Sequence, residues 1–289
     1  RDKSTENYPM QKIIKDNFAN DALVIKSQKL ARIKIENATR SDGTLDWKKL
    51  PKLVTVNPKL DKVDDVDPYL TAGFQGAPSW ASGYNTCSGA TLGCSKLCLF
   101  GAGHGQAHMI QEGVHTVWVA RIVRTILFYE HRAAFEKQMI KELGAFARKA
   151  ARKGLKTAFR PNVMTDIDFV NLMPSMFRYN ATFKIDRIYD YTKVSKRVRT
   201  TMRPRAYHLT VSRTETTSDA ELHTAMRWAN VAVVFSTKKN EELPATYLGY
   251  PVYNGDLTDN RFNDPAGHIV GLREKKTGKV DTSGFVVRV

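Results

Sequence analysis

Residues 187–235 read RIYDYTKVSKRVRTTMRPRAYHLTVSRTETTSDAELHTAMRWANVAVVF, and this stretch decides the fold. It holds three short apolar runs, at 187–191, 207–211 and 231–235, separated by polar or basic segments. The same alternation extends outward, with a run at 157–160 before it and runs at 251–253 and 269–272 after it. Helix candidates lie between the runs, at 166–177, 193–200 and 218–229. Strand–helix alternation of this kind predicts an α/β fold with mostly parallel strands, arranged as a sheet or a barrel.

Most of the expected strands end in a polar cluster. The clusters are Arg160 and Asn162 with Asp166; Asp190, Thr192 and Lys193; Ser212, Arg213 and Glu215; Ser236 and Lys238; Asn254 and Asp256. Asp, Asn and Ser at such places often cap helices or shape turns. Parallel α/β folds, however, build their sites at the C-terminal ends of their strands. Five clusters in register therefore predict a site at one end of the sheet.

A second stretch, 87–105, reads CSGATLGCSKLCLFGAGHG and contains all three cysteines of the chain, Cys87, Cys94 and Cys98. Their spacing is C-x6-C-x3-C, with glycines between and after them to bend the backbone. Three thiolates from one loop leave a metal centre with an open position, whereas a closed structural zinc takes four ligands. An iron–sulfur cluster on Cys87, Cys94 and Cys98 is the central expectation. A zinc site completed by His104 or His108, metal-free buried thiols, and one disulfide with an odd thiol are the alternatives; no signal peptide is visible to support the last.

Of the 289 residues, 42% are hydrophobic, enough for a sizeable core. No run of about 18 apolar residues predicts a membrane span. The chain opens at Arg1 rather than Met, which leaves room for an upstream or targeting segment. The net charge is +16. It gathers at Lys137, Lys141, Arg148, Lys149, Arg152, Lys153 and Lys156, and again at Lys193, Lys196, Arg197, Arg199, Arg203 and Arg205. Such clustering predicts a polyanionic partner, nucleic acid being the commonest. A surface serving solubility alone is the plainer reading.

Residues 1–70 read as an N-terminal arm and 71–289 as the main domain. The arm is expected to hold a short amphipathic helix, strands at 21–26 and 31–37, a turn at Asp42-Gly43 and a Pro-bounded charged loop at 58–68. Val114, Val117, Trp118, Ile122, Ile126 and Leu127 recur at helical spacing and predict a helix over about 106–130. Phe135, Met139, Leu143 and Phe146 predict a second over 133–153, basic on its outer face.

Several of these stretches together resemble the phage gene-product-88 family. They are the cysteine loop, VARIVRTILF, FRPNVMTDIDF, IYDYTK, YHLTVS and VYNGDLTDNRFNDPAGHIVGL, covering about 70–275 in the family's order. The cysteine loop is also similar to that of radical S-adenosylmethionine-like phage proteins. The usual radical-enzyme motif is C-x3-C-x2-C, and this chain departs from it at both intervals, with Leu99 where an aromatic is common.

The resemblance implies a partial or distorted (β/α) barrel whose three cysteines hold a [4Fe-4S] cluster, one iron being free for S-adenosylmethionine. It matches Arg121 and Arg124 to the family's helix arginines, and Arg160, Asn162 and Asp166 to one strand end. It matches Tyr189 through Lys193 to a YDYTK segment. Asn254, Gly255, Asp256, Asp259, Arg261 and Asp264 fall on the last motif. On this reading Arg160 and Lys193 hold a carboxylate or phosphate, while Asp166, Asp190 and Asp256 take amine or hydroxyl groups. Asn162, Tyr191, Ser212, Glu215 and Asn254 line the cofactor. An enzyme acting on nucleic acid or a nucleotide in the cytoplasm of the infected bacterial host is implied. A non-enzymatic nucleic-acid-binding protein of replication or packaging is the alternative, with a structural metal site made by the three cysteines alone or by the cysteines and one histidine.

Overall fold

The computed structural model describes residues 22–56, 68–98, 110–111, 114–178, 185–199, 206–275 and 281–289. The chain divides into two compact units, one of residues 1–87 and 99–185, the other of 88–98 and 186–289.

Among the described residues, the first element of the first unit is a helix, Ala22–Glu36, where the sequence predicts strands at 21–26 and 31–37. Its buried residues are Val24, Ser27, Ala31 and Ile35, spaced three and four apart. That is the period of a helix face. The β-branched residues around them imitate strand runs, but packing of this stripe on the Thr116–Glu130 helix decides the outcome. At the Asp42-Gly43 turn the Asp42 carboxylate accepts from the Thr44 amide and hydroxyl at 2.9 and 2.7 Å. Gly43 takes the left-handed φ of 78° that such a turn requires.

β1 (Val54–Thr55) runs antiparallel to β2 (Tyr69–Phe74). All six residues of β2 are buried. Its sequence, YLTAGF, therefore lacks the in–out alternation that betrays a half-exposed strand, and it is not foreseen in the sequence. β3 (Ile110–Gln111) and β4 (Val114–His115) pair antiparallel, so the helix expected from 106 begins at Thr116. The Arg132–Arg152 helix follows within one residue of its expected ends. β5 (Lys156–Arg160) lies parallel to β2.

Phe74, Phe128, Phe135 and Phe169 form the core here, with edge-on ring pairs at 5.2 to 5.6 Å. Glu142 ties the Arg132–Arg152 helix to β1, one carboxylate oxygen accepting from the Leu53 and Val54 amides at 2.8 and 2.9 Å. The helix expected over 166–177 is split into Phe169–Leu172 and Ser175–Arg178. Pro174 lies between them, and proline both lacks an amide proton and pushes the residue before it out of the helical region.

The second unit holds β6 (Arg187–Thr192), β7 (Tyr207–Ser212), β8 (Val231–Phe235), β9 (Thr246–Tyr247), β10 (Tyr250–Asn254), β11 (Ile269–Arg273) and β12 (Val286–Val287). The order β6-β7-β8-β11-β10-β9 is parallel except for β9. It does not return on itself, so this part of the sheet is open. The class is mixed α/β with mostly parallel strands.

β7 pairs only with the first two residues of β8, and β12 pairs with the last two. Since β11 follows the whole other side of β8, β12 continues the lane that β7 leaves. The Asp219–Met226 helix packs Leu222, Ala225 and Met226 inward, and a capping box of Ser218 and Glu221 starts it. The helix expected over 193–200 is a single 3-10 stretch, Ser195–Arg199. Among the described residues no helix is long and apolar enough to cross a membrane.

Candidate functional site at the strand ends

Parallel strands share one direction, so residues just past β6, β7, β8 and β10 collect at one edge of the second unit. Along that edge lie Lys193, Ser212, Arg213, Glu215, Ser236, Lys238, Asn254 and Asp256, spread over the ends of β6, β7, β8 and β10. The structure also brings part of the cysteine stretch, residues 88–98, to the ends of β6 and β7.

Three contacts seat that segment. Gly89 lies against Lys193, where an added Cβ would stand 2.9 Å from the Lys193 Cβ. Arg197 donates to the Ser88 hydroxyl at 3.3 Å. Glu215, on the turn after β7, accepts from the Thr91 hydroxyl at 2.6 Å and the Gly93 amide at 2.7 Å. Thr91 in turn caps the short helix Leu92–Lys96, accepting from the Cys94 amide at 3.3 Å. Thr91 is missing from the sequence-derived residues, although a threonine three positions before Cys94 is a cap signal.

The remaining polar ends are tied up locally. Arg273, at the end of β11, donates from its guanidinium to Asn254 at 3.0 Å and pairs with Asp256 at 3.3 Å; its amide also reaches Asp256 at 3.0 Å. Lys275 approaches Asp256 at 3.7 Å. Ser236 is covered by β12, its amide donating to Val287 and its hydroxyl accepting from Val289. Asp190 does not project from a strand end. It lies inside β6, fully buried, and accepts from the Tyr207 hydroxyl at 3.0 Å. Tyr191, one residue on, faces the opposite side of the strand, level with Thr210. Ser212 is the last residue of β7, level with Ala232.

The last motif, from Asn254 to Asp264, folds around one buried cation. Arg261 is fully buried and pairs with the equally buried Asp264 side chain at 3.2 Å. It also donates to the carbonyls of Gly255, at 3.0 Å, and Thr258. A Cβ on Gly255 would meet the Arg261 guanidinium at 2.6 Å and Val270 at 2.5 Å, so glycine is what lets the two approach. Burial pushes the Asp264 carboxyl up to about 6, against the opposing pull of Arg261.

In the first unit, Arg160 ends β5, level with Gly73, and is buried. Asn162 closes its own loop: its carbonyl accepts from the Thr165 hydroxyl and the Ile167 amide, both at 2.7 Å, and its amide reaches the Ile167 carbonyl. The Asp166 amide donates to Thr86 at 2.7 Å, and Asp166 bridges in parallel to Cys87. Arg121 and Arg124 are buried in the Thr116–Glu130 helix, near Gln75 and Lys52. Burial pulls Arg124 down to about 10, Arg121 adding to the fall while Glu142 resists it.

The three cysteines are of intermediate exposure and none is joined in a disulfide, which goes against the alternative of one disulfide with an odd thiol. Among the described residues, no three His, Cys, Asp or Glu side chains are gathered as ligands of a metal ion. His104, His108, Arg203 and Arg205 lie outside the described residues, as does the loop at 58–67.

No curated protein and no solved structure matches the chain. A family model described as gene product 88 matches residues 38–289, which include the cysteine stretch, both buried arginines of the Thr116–Glu130 helix and the Arg261 lock. The chain therefore belongs to the gene product 88 family of phage proteins.

Proposed function

We propose that this chain is a phage iron–sulfur protein of the radical S-adenosylmethionine-like kind, acting on nucleic acid or a nucleotide in the host cytoplasm. The observation that carries the reading is the seating of residues 88–98 over the C-terminal ends of β6 and β7. Strand ends of this kind are where parallel α/β proteins assemble their chemistry. Cys87, Cys94 and Cys98 are soft donors suited to iron–sulfur or zinc, and none is consumed in a disulfide. Ligation requires the three thiols to close on one point. Held by Cys87, Cys94 and Cys98, a cluster would supply one-electron chemistry to a substrate or to S-adenosylmethionine. Lys193, against which Gly89 packs, is the cation assigned to a substrate phosphate or carboxylate.

The test is the colour and the iron and sulfide content of protein purified without oxygen. A brown protein with a broad visible band is expected, and Cys87→Ala, Cys94→Ala and Cys98→Ala should each lose it. Zinc in place of iron, dependent on His104 or His108, would move the reading to a structural zinc held by the three cysteines and one histidine. A protein that takes up neither metal would end it.

One observation favours binding without catalysis. In the Ser195–Arg199 stretch Val198 is buried as an anchor while Lys196 and Arg199 are exposed, which suits them to phosphates. Under that reading nucleic acid binds with steep salt dependence and the thiols serve only to hold their loop.

A further inference from the structure

Glu215 belongs to the turn after β7, yet both its oxygens serve the cysteine segment. One accepts from the Gly93 amide at 2.7 Å and the other from the Thr91 hydroxyl at 2.6 Å. Thr91 relays the restraint, because its oxygen also accepts from the Cys94 amide. A helix start leaves its first amides without backbone partners. A single carboxylate here satisfies one of them directly and orients the cap of another, which fixes the turn that carries Cys94.

The surroundings hold the carboxylate still. Thr214, Thr216 and Thr217 knit the Glu215 turn together, the Thr214 amide donating to Thr217 at 3.0 Å and the Thr214 hydroxyl lying 3.1 Å from those of Thr216 and Thr217. On the other side, Ser283 donates to Asp281 at 2.6 Å, and Arg213 grips the Gly284 and Phe285 carbonyls at 2.9 and 3.2 Å. A Cβ on Gly93 would sit 2.3 Å from the Ser283 hydroxyl and 2.9 Å from the Glu215 carboxyl. Glycine at 93 is therefore a condition of the clamp.

We propose that Glu215 is a positioning residue for Cys94, holding its thiol for the thiophilic metal that the cysteines bind. This rests on the metal reading above, but it also makes a claim about metal-free protein. A carboxylate already bonded to a backbone amide and a hydroxyl is poorly placed to serve as a direct ligand of the cofactor, the role its sequence position first suggests.

The experiment follows the alkylation of each cysteine by iodoacetamide in metal-free full-length protein, read by peptide mass spectrometry. Glu215→Ala should raise the Cys94 rate about tenfold, the scale of one lost charge-assisted hydrogen bond, and leave Cys87 unchanged. Glu215→Asp, which keeps the charge but not the reach, should fall between. Thr91→Val removes only the relay and provides a milder variant should Glu215→Ala fail to fold, with circular dichroism reporting the fold. The same proteins, loaded anaerobically with ferrous iron and sulfide, should release iron to a chelator faster than wild type in the same order. A wild-type protein that takes up no iron, with Cys94 still responsive to Glu215, would end the metal reading and support the clamp. Wild-type iron binding with Cys94 reactivity and iron release indifferent to Glu215→Asp and Thr91→Val would overturn the clamp and leave the metal reading intact.

Discussion

Replacing Gly255 by alanine tests the Arg261 lock most directly. The added methyl would stand 2.5 Å from the Val270 Cγ1, 2.6 Å from the Arg261 Nη1 and 3.0 Å from the Leu272 Cδ2. Val270 is fully buried in β11, paired with β8 on one side and β10 on the other, and has nowhere to retreat. Overpacking alone costs about 1–3 kcal/mol. The alternative is for Arg261 to give way, which breaks its bonds to Gly255 and Thr258 and its contact with Asp264. Breaking a buried pair by displacing one partner costs about 3–5 kcal/mol. The molecule takes the cheaper route, so about 2–3 kcal/mol is expected, a fall in Tm of roughly 4–12 °C for a chain of this size. Urea titration at neutral pH, followed by circular dichroism, measures it. Arg261→Met is the companion: without the guanidinium the alanine meets one wall fewer, so the double variant should be more stable than the sum of the singles predicts. If Gly255→Ala lies within about 0.5 kcal/mol of wild type, or the two substitutions simply add, the lock is misread.

Four further outcomes follow from contacts already described. Because the folded Asp264 carboxyl is raised to about 6, above its ordinary value of 3.8, its favourable contribution is fully present below that ordinary value and is lost as pH rises through 6. Stability of wild type relative to Asp264→Asn should therefore decline between about pH 4 and 6 and stay level above; a difference that rises with pH would contradict it. Ser218→Ala removes the capping box of the Asp219–Met226 helix and should lower stability by about 1 kcal/mol, read from a urea midpoint. Glu142→Gln turns an acceptor shared by the Leu53 and Val54 amides into a neutral group; a loss of about 1–2 kcal/mol, with faster hydrogen exchange at Leu53 and Val54, is expected. If Lys196 and Arg199 touch single-stranded nucleic acid, replacing both with alanine should flatten the log–log salt slope by about 0.7 per contact, and an unchanged slope would remove them from the interface.

The parallel strands were legible because their ends are marked. Val231–Phe235 stands out as an apolar run between polar neighbours, and its bounds in the structure are the expected ones. Tyr69–Phe74 was not legible, since a strand covered on both faces has no alternation and Thr71 and Gly73 dilute its hydrophobicity. Ala22–Glu36 misled for the opposite reason, its β-branched residues looking like strand while its burial follows a helical stripe. At the strand ends, the polar residues could be named from the sequence but their partners could not. Nothing in the sequence shows that Arg273 would engage Asn254 and Asp256, because that depends on β10 and β11 being neighbours. Glu215 likewise gains its meaning only from a segment more than a hundred residues earlier in the chain.

The sharing of one flank of β8 between β7 and β12 bears on how the protein is made. The second half of β8 acquires that flank's partner only when residues 286–287 arrive, some fifty positions after the strand itself. During synthesis, Val234 and Phe235 therefore leave the ribosome with backbone groups bared along that flank, in the middle of the sheet rather than at its rim. Bared strand edges are templates for pairing with other chains. Chains stalled before Val286 should thus clump, and faster elongation through that interval, or a chaperone that shields β8, should raise the yield of native protein.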